Sequence, residues 1–202
     1  MVGHLRHIEE SLAQRVAAGL GLETLPEAPP SAAPVLDLQP SPALGLMARM
    51  KDTLAGRTLG ILIADGSDGT RFEPLRLAAV QAGATVRLVA PRVGQVRLAD
   101  GTPQAADLQL TGSPSVLFDA VAIILSAEGA AILGKDSAAL DFVRDAFAHL
   151  KASAVDAGGQ ALFDQANLVT DEGVLGADDP VAFLAAAKGR VWEREPKVRG
   201  LA

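Results

Sequence analysis

Cysteine and tyrosine are both missing from this 202-residue sequence. Without cysteine there is no disulfide, no thiolate nucleophile and no thiolate-ligated metal. That absence leaves the compartment open, because a secreted chain need not contain cysteine. Without tyrosine, no phenolate from this polypeptide can ligate a haem iron. Aromatic residues make up only 3% of the chain, with a single tryptophan. A basic excess is lacking too: 18 Lys and Arg face 24 Asp and Glu, a net charge of -6, so attraction to nucleic-acid phosphates is not expected. No apolar run approaches the roughly 20 residues that span a bilayer. The opening segment, Met1 to His7, lacks the apolar core of a signal peptide, so a soluble cytoplasmic protein is expected.

What is present is a large supply of small aliphatics. Hydrophobic residues make up 49% of the chain, mainly Ala, Val and Leu. That is enough for one buried core, and such side chains suit helices laid closely on a parallel sheet. Ile8, Leu12, Val16 and Leu20 recur at four-residue spacing and predict an amphipathic helix ended by Gly19 and Gly21. One such helix cannot bury its stripe alone, so it should pack on something else. From 23 to 55 the composition changes. Pro26, Pro29, Pro30, Pro34, Pro40 and Pro42 are half of the 12 prolines, which predicts an extended linker. Leu44, Leu46 and Met47 are candidates to start a short docking helix within it.

The globular part is expected from 56 to 202. Arg57 to Ala64 is an apolar run that predicts a buried strand, followed by a helix from Gly69 to Ala82 and a strand from Thr85 to Ala90 stopped by Pro91. Together they form a βαβ unit, which implies a right-handed crossover. Val96–Leu98 and Ala106–Leu110, joined through Asp100-Gly101, predict a hairpin excursion. Phe118–Leu125 predicts a third core strand, Ala138–Leu150 a helix and Ala152–Asp156 a short strand ending at Gly158-Gly159. Leu168-Val169 and Val174-Leu175 are candidate edge strands. Asp179 can cap a last helix with Pro180 at its first position. The fold class is therefore α/β: a three-layer, doubly wound, mostly parallel sheet, preceded by a helix and a Pro-rich linker.

The order of these pieces carries a family resemblance. Gly60–Gly69, Ala82-Gly83-Ala84 with Leu88–Gly94, Ser115–Val121 and Val191–Glu195 resemble successive segments of the C-terminal domain of large-subunit haem catalases. Upstream, Ala13–Leu22 is similar to the last helix of the haem-binding region in the same proteins. The resemblance covers nearly the whole chain and implies a flavodoxin-like, glutamine-amidotransferase-like fold of the ThiJ/PfpI type. It also implies a fragment: 1–22 as the tail of the haem-binding region, 23–55 as linker, 56–202 as the appended domain. The distal His, the Asn and the proximal Tyr of the haem region would lie upstream, so haem belongs to the parent and no cofactor to this piece.

In open parallel sheets, ligands sit beyond the carboxyl ends of the strands. Four loops qualify: Asp65 to Gly69, Pro91 to Gly94, Ser126 to Gly129 and Asp156 to Gly159, with Asp65, Ser67, Asp68, Ser126, Glu128, Asp156 and Gly158 as candidate ligand residues. The resemblance implies that Asp156 stands where related domains carry a nucleophilic Cys on a turn from strand to helix. Asp156 is then either an activated carboxylate or the remnant of an elbow that kept the turn and lost the chemistry. The acidic partner expected early in the first helix has no clear match among Asp68, Arg71 and Glu73. Asp65, Asp68, Glu128 and Asp156 could converge on Mg²⁺ or Ca²⁺; their ordinary reading is solvated loop carboxylates, and no metal is expected. Asp65-Gly66-Ser67-Asp68-Gly69 precedes a helix but matches no nucleotide fingerprint, and its two carboxylates would repel an anion. His4, His7 and His149 make no credible ligand set. Trp192 reads as a packing anchor, and Lys188, Arg190, Arg194, Lys197 and Arg199 as a solvated end or a docking strip.

The resemblance thus implies a non-catalytic accessory domain that stabilises a peroxide-dismutating parent or shapes access to its haem, with a chaperone-like variant acting on unfolded clients. Its partners would be the parent's haem domain and neighbouring subunits of a homotetramer, with no nucleic acid and no membrane. The enzymatic alternative is a small hydrolase or deglycase using Asp156; a further one is a small-anion or nucleotide-binding module.

Overall fold

The computed structural model describes residues 1–32, 37–39, 41–45 and 49–199, the Arg199 side chain excepted. Leu46 and Met47, part of the expected docking helix, lie outside the described residues. Contacts divide the chain into two compact units, Met1–Ala48 and Arg49–Ala202. No helix among the described residues is long and apolar enough to cross a membrane.

In the first unit, α1 (Val2–Leu5) and α2 (Glu10–Gly19) share a small core of Val2, Ala13 and Ala17, edged by Leu5, Val16 and Leu25. The expected stripe is only half used: Ile8 and Leu20 are exposed, and the alanines face inward. The first prolines of the expected linker lie against these helices. Arg6 Nη1 donates to the Pro26 carbonyl at 3.1 Å, and His7 Nε2 donates to that of Pro29 at 2.6 Å. This part of the expected linker is tied to the helices because proline leaves its carbonyl available while removing its own donor.

The second unit begins with the βαβ pattern: β1 (Thr58–Ile63), α3 (Gly69–Gln81) and β2 (Thr85–Ala90). Then come β3 (Gln95–Arg97), β4 (Pro103–Ala105) and β5 (Leu108–Gln109), two 3₁₀ turns, and β6 (Ala120–Ile124). The chain continues through α4 (Ala127–Leu133), α5 (Ser137–Ala148), β7 (Ser153–Val155), α6 (Ala157–Gln165), β8 (Val174–Gly176), α7 (Pro180–Ala186) and α8 (Glu195–Arg199). Six strands form one parallel sheet in the order β5-β2-β1-β6-β7-β8. Leu59 to Ile63 and all of β6 are buried, as central parallel strands covered on both faces should be. One face carries a core of Ile61, Ile63, Phe72, Leu75 and Phe183 under α3 and α7. The other carries Leu62, Ile123, Phe142, Val143 and Phe163 under α4, α5 and α6. The three-layer, doubly wound architecture is thus in place.

Several elements differ from the sequence reading. The hairpin pairs β3 with β4, not with Ala106–Leu110. Gly101, at φ +85°, lets the chain reverse at once, and Leu98 N–H donates to Thr102 O at 2.9 Å. Leu108–Gln109 instead joins the main sheet as a parallel edge beside β2, where the Asp107 carboxylate accepts from Leu88 N–H at 2.7 Å. Leu168-Val169 is not a strand: Val169 is exposed and follows the left-handed Asn167. Ser126 to Gly129 is not a free loop, because Ser126 caps α4 and accepts from Gly129 N–H at 3.0 Å.

The basic tail is the largest departure. Trp192 is 39% exposed, whereas Arg194 is wholly buried. Its Nε and Nη2 donate to Asp171 at 2.8 and 2.7 Å, and its Nη1 donates to the carbonyls of Phe147 and Lys151. The guanidinium lies 3.9 Å from the centre of the Phe147 ring. Arg194, not Trp192, anchors the end of the domain.

Candidate functional site

The strand order reverses direction at β1: one crossover leads to β2 and another to β6 on its opposite side. A crevice at such a switch point is where open α/β sheets receive ligands. Here there is a cleft of about 450 Å³, within the range of small-molecule sites. Its floor is the turn after β1 (Ala64, Asp65, Gly66). One wall is the segment after β2, with Arg92, Val93 and Gln95, and the other is α4, with Glu128, Gly129, Ile132 and Leu133.

Three of the four expected loops meet in this cleft, but their candidate residues play unequal parts. Asp65 lines it while its Oδ1 accepts from Arg97 N–H at 2.8 Å, so one carboxylate oxygen is already tied to the hairpin. Glu128 lines it as an exposed side chain in the first turn of α4. Ser67 does not: it is fully buried, accepting from Ala64 N–H at 2.9 Å and donating to the Ile124 carbonyl at 2.7 Å. It rivets the turn after β1 to β6. Ser126 Oγ caps α4 and donates to the Asp65 carbonyl at 3.3 Å. Asp68 faces a separate groove with Glu73 and Asp100. There it caps α3, and hydrogen bonds from the Thr70 hydroxyl and amide hold its carboxyl below the usual range.

Asp156 stands outside the cleft. It caps α6, with Oδ1 accepting from Gly159 N–H at 2.8 Å and both oxygens 3.2 Å from the Leu125 amide. Its backbone, at φ -94°, is extended and unstrained. The two glycines that follow explain the tight closure. A Cβ on Gly158 would lie 2.0 Å from the Leu125 carbonyl oxygen, and one on Gly159 would lie 2.2 Å from that of Ile123. The end of α6 therefore presses directly on the β6 backbone. The Asp156 carboxylate acts as an acceptor for backbone amides, with neither oxygen left without a donor.

The four carboxylates do not converge. Among the described residues no group of three or more His, Cys, Asp or Glu is arranged to hold a metal. The histidines are dispersed as well: His7 is bound to Pro29, and His149 Nδ1 donates to the Asp145 carbonyl at 2.7 Å. Sequence reasoning misses Ile132 and Leu133, which enter the cleft only because α4 continues one turn beyond Gly129. A serine cap at Ser126 was the one signal available for that helix.

The fold belongs to a recognised class. Drosophila melanogaster DJ-1beta matches 72% of this chain and 97% of its own length with a TM-score of 0.57 at 16% identity. A ThiJ/PfpI domain protein from Brachyspira murdochii matches 69% of this chain and 97% of its own at 0.54 and 15%. At these identities the likeness is one of fold. Residues 55–195 match the C-terminal domain found in long catalases, and the chain belongs to that family. It is 42% identical to Catalase C of Rhizobium meliloti over 98% of its length and 35% identical to Catalase HPII of Pseudomonas aeruginosa over 98%. It spans only 29% and 28% of those two proteins.

Proposed function

We propose that this chain is the C-terminal accessory region of a large-subunit haem catalase, carrying out no redox chemistry itself. In the parent homotetramer it would stabilise the subunit or shape the approach of peroxide to haem held by the remainder of the chain and its neighbours. The observation that carries this reading is the engagement of Asp156. At the position where the fold's enzymes would need a free nucleophile, both carboxylate oxygens face backbone amides. Nor does the chain offer a tyrosine phenolate, the ligand that holds haem iron in catalases.

The test is twofold. The purified chain mixed with haem is expected to give no haem-band complex and no peroxide decomposition. In the full-length parent, removing the segment equivalent to 55–195 is expected to hasten thermal inactivation or alter the dependence of rate on peroxide concentration. A haem complex in the first experiment, or unchanged inactivation and kinetics in the second, would overturn the reading.

A further inference from the structure

The strand-end cleft carries two charges that no described residue engages. Arg92 lies on one wall and Glu128 on the other, and neither pairs with the other or hydrogen-bonds elsewhere among the described residues. The walls are opposed because β1 lies between β2 and β6, and each charge follows one of those neighbours. Each wall also offers an aliphatic side chain to solvent. Val93, next to Arg92, is 83% exposed; Ile132, one helical turn beyond Glu128, is 62% exposed. Residues four apart share a helix face. A single exposed aliphatic is unremarkable, but two of them facing one concavity beside unpaired charges make an amphipathic receptor.

The charges restrict what fits. A phosphate or nucleotide would meet Glu128 and Asp65, and a simple cation would meet Arg92. A purely apolar body would strip water from all three without replacing it. We propose that the cleft binds a zwitterion of dipeptide size, its carboxylate at Arg92, its ammonium at Glu128 and Asp65, and its aliphatic side chain against Val93 and Ile132. A free amino acid carries its ammonium and carboxylate on one carbon, which gives it the shorter reach. A dipeptide places a peptide unit between them. This site stands apart from the accessory role and does not depend on it.

The experiment is an NMR amide titration of the full 202-residue chain with glycyl-leucine, N-acetyl-glycyl-leucine, glycyl-leucinamide and leucine. Glycyl-leucine is expected to shift the amides of Gly66, Gly94 and Gly129 with a dissociation constant of about 1 mM. Each of the other three is expected to bind about tenfold more weakly. Both charged residues are exposed, so their variants should keep the fold. Arg92→Gln should abolish the preference over the amide, and Glu128→Gln the preference over the acetyl form. No shift by roughly 10 mM, equal binding of the blocked peptides or of leucine, or unchanged selectivity in the variants would overturn the proposal.

Discussion

Arg194→Met should be among the most damaging single changes in the domain, and its pH dependence should reveal why. The substitution keeps most of the side-chain volume but removes the guanidinium paired with Asp171, whose side chain is 8% exposed. It also strips donors from the Phe147 and Lys151 carbonyls. Removing one partner of a buried pair costs about 3–5 kcal/mol. For a chain of this size, each kcal/mol lowers Tm by roughly 2–4 °C. Urea unfolding at pH 7 measures the loss directly. The Arg194 guanidinium beside Asp171 holds its carboxyl below the ordinary value of 3.8. In the native protein that stabilisation is therefore complete above about pH 4 and is lost as pH falls through the lower, folded value. In the variant the carboxyl keeps the Gly173 N–H and the more distant Lys197 charge but loses its strongest partner, so its folded pKa rises and ionisation no longer favours folding as it does in the native protein. The gap between the two proteins should be widest near neutrality and narrow as pH falls below about 4. Combining Arg194→Met with Asp171→Asn should recover part of the loss. A gap under about 1 kcal/mol, or one that stays constant with pH, would refute the argument that the pair works as a buried, charge-dependent clamp.

Asp156→Ala should destabilise by about 1–3 kcal/mol, since it removes a helix cap and leaves the Leu125 amide without an acceptor. Asp156→Asn should lose clearly less by chemical denaturation, and equal losses would argue against capping as its role. Gly158→Ala should be worse than an ordinary glycine substitution, costing roughly 2 kcal/mol or more, because its Cβ would press on a backbone oxygen 2.0 Å away; a neutral result in a thermal melt would mean that α6 can move off β6. Lys151 is buried with its ammonium donating to the Ser115 carbonyl at 2.6 Å, and burial, with Arg190 nearby, pushes its pKa down to about 8. A lowered lysine pKa penalises the charged form, so the penalty is present below about pH 8 and lifts as pH rises toward 10.5. Lys151→Met should raise stability by about 1–3 kcal/mol at pH 7, the gain shrinking over that window; a gain that does not change with pH would sink the assignment.

The sheet was legible because parallel central strands must be apolar on both faces. Ile61-Leu62-Ile63 and Val121-Ala122-Ile123-Ile124 are short, largely β-branched apolar runs that suit a doubly covered strand, and the Asp-Pro pair at 179–180 announces α7 through its cap and fixed φ. The edge was harder to read. β5 is two residues long, and what places it is the Asp107 carboxylate on the Leu88 amide, a contact 19 positions away. Arg194 shows the same limit more sharply. Within a run of basic residues an arginine is ordinarily solvated, and its partner Asp171 lies 23 positions earlier with no local pattern joining them. As for the candidate site, chain order gives the loops that follow β1, β2 and β6, but not which carboxylates have already been taken up as caps. Ser67, Asp68, Ser126 and Asp156 all read as ligand residues in one dimension, and all bind backbone amides in three.

That division of labour separates the two halves of the strand-end surface. On the β7 side, Asp156 caps α6, and Gly158 and Gly159 let that helix press on the β6 strand end where no Cβ fits. On the β2 side the same end of the sheet stays open: the β3–β4 hairpin takes up Asp65 Oδ1 and leaves Arg92, Val93, Glu128 and Ile132 facing a cleft. Closing the elbow does not require closing the cleft, because the two are built on different crossovers. The Asp156 turn and the strand-end cleft are therefore structurally separate, and a change in one need not alter the other. An acyl-transfer assay on this chain tests only the β7 side. A ligand titration tests only the β2 side, and a negative result in one leaves the other question to its own measurement.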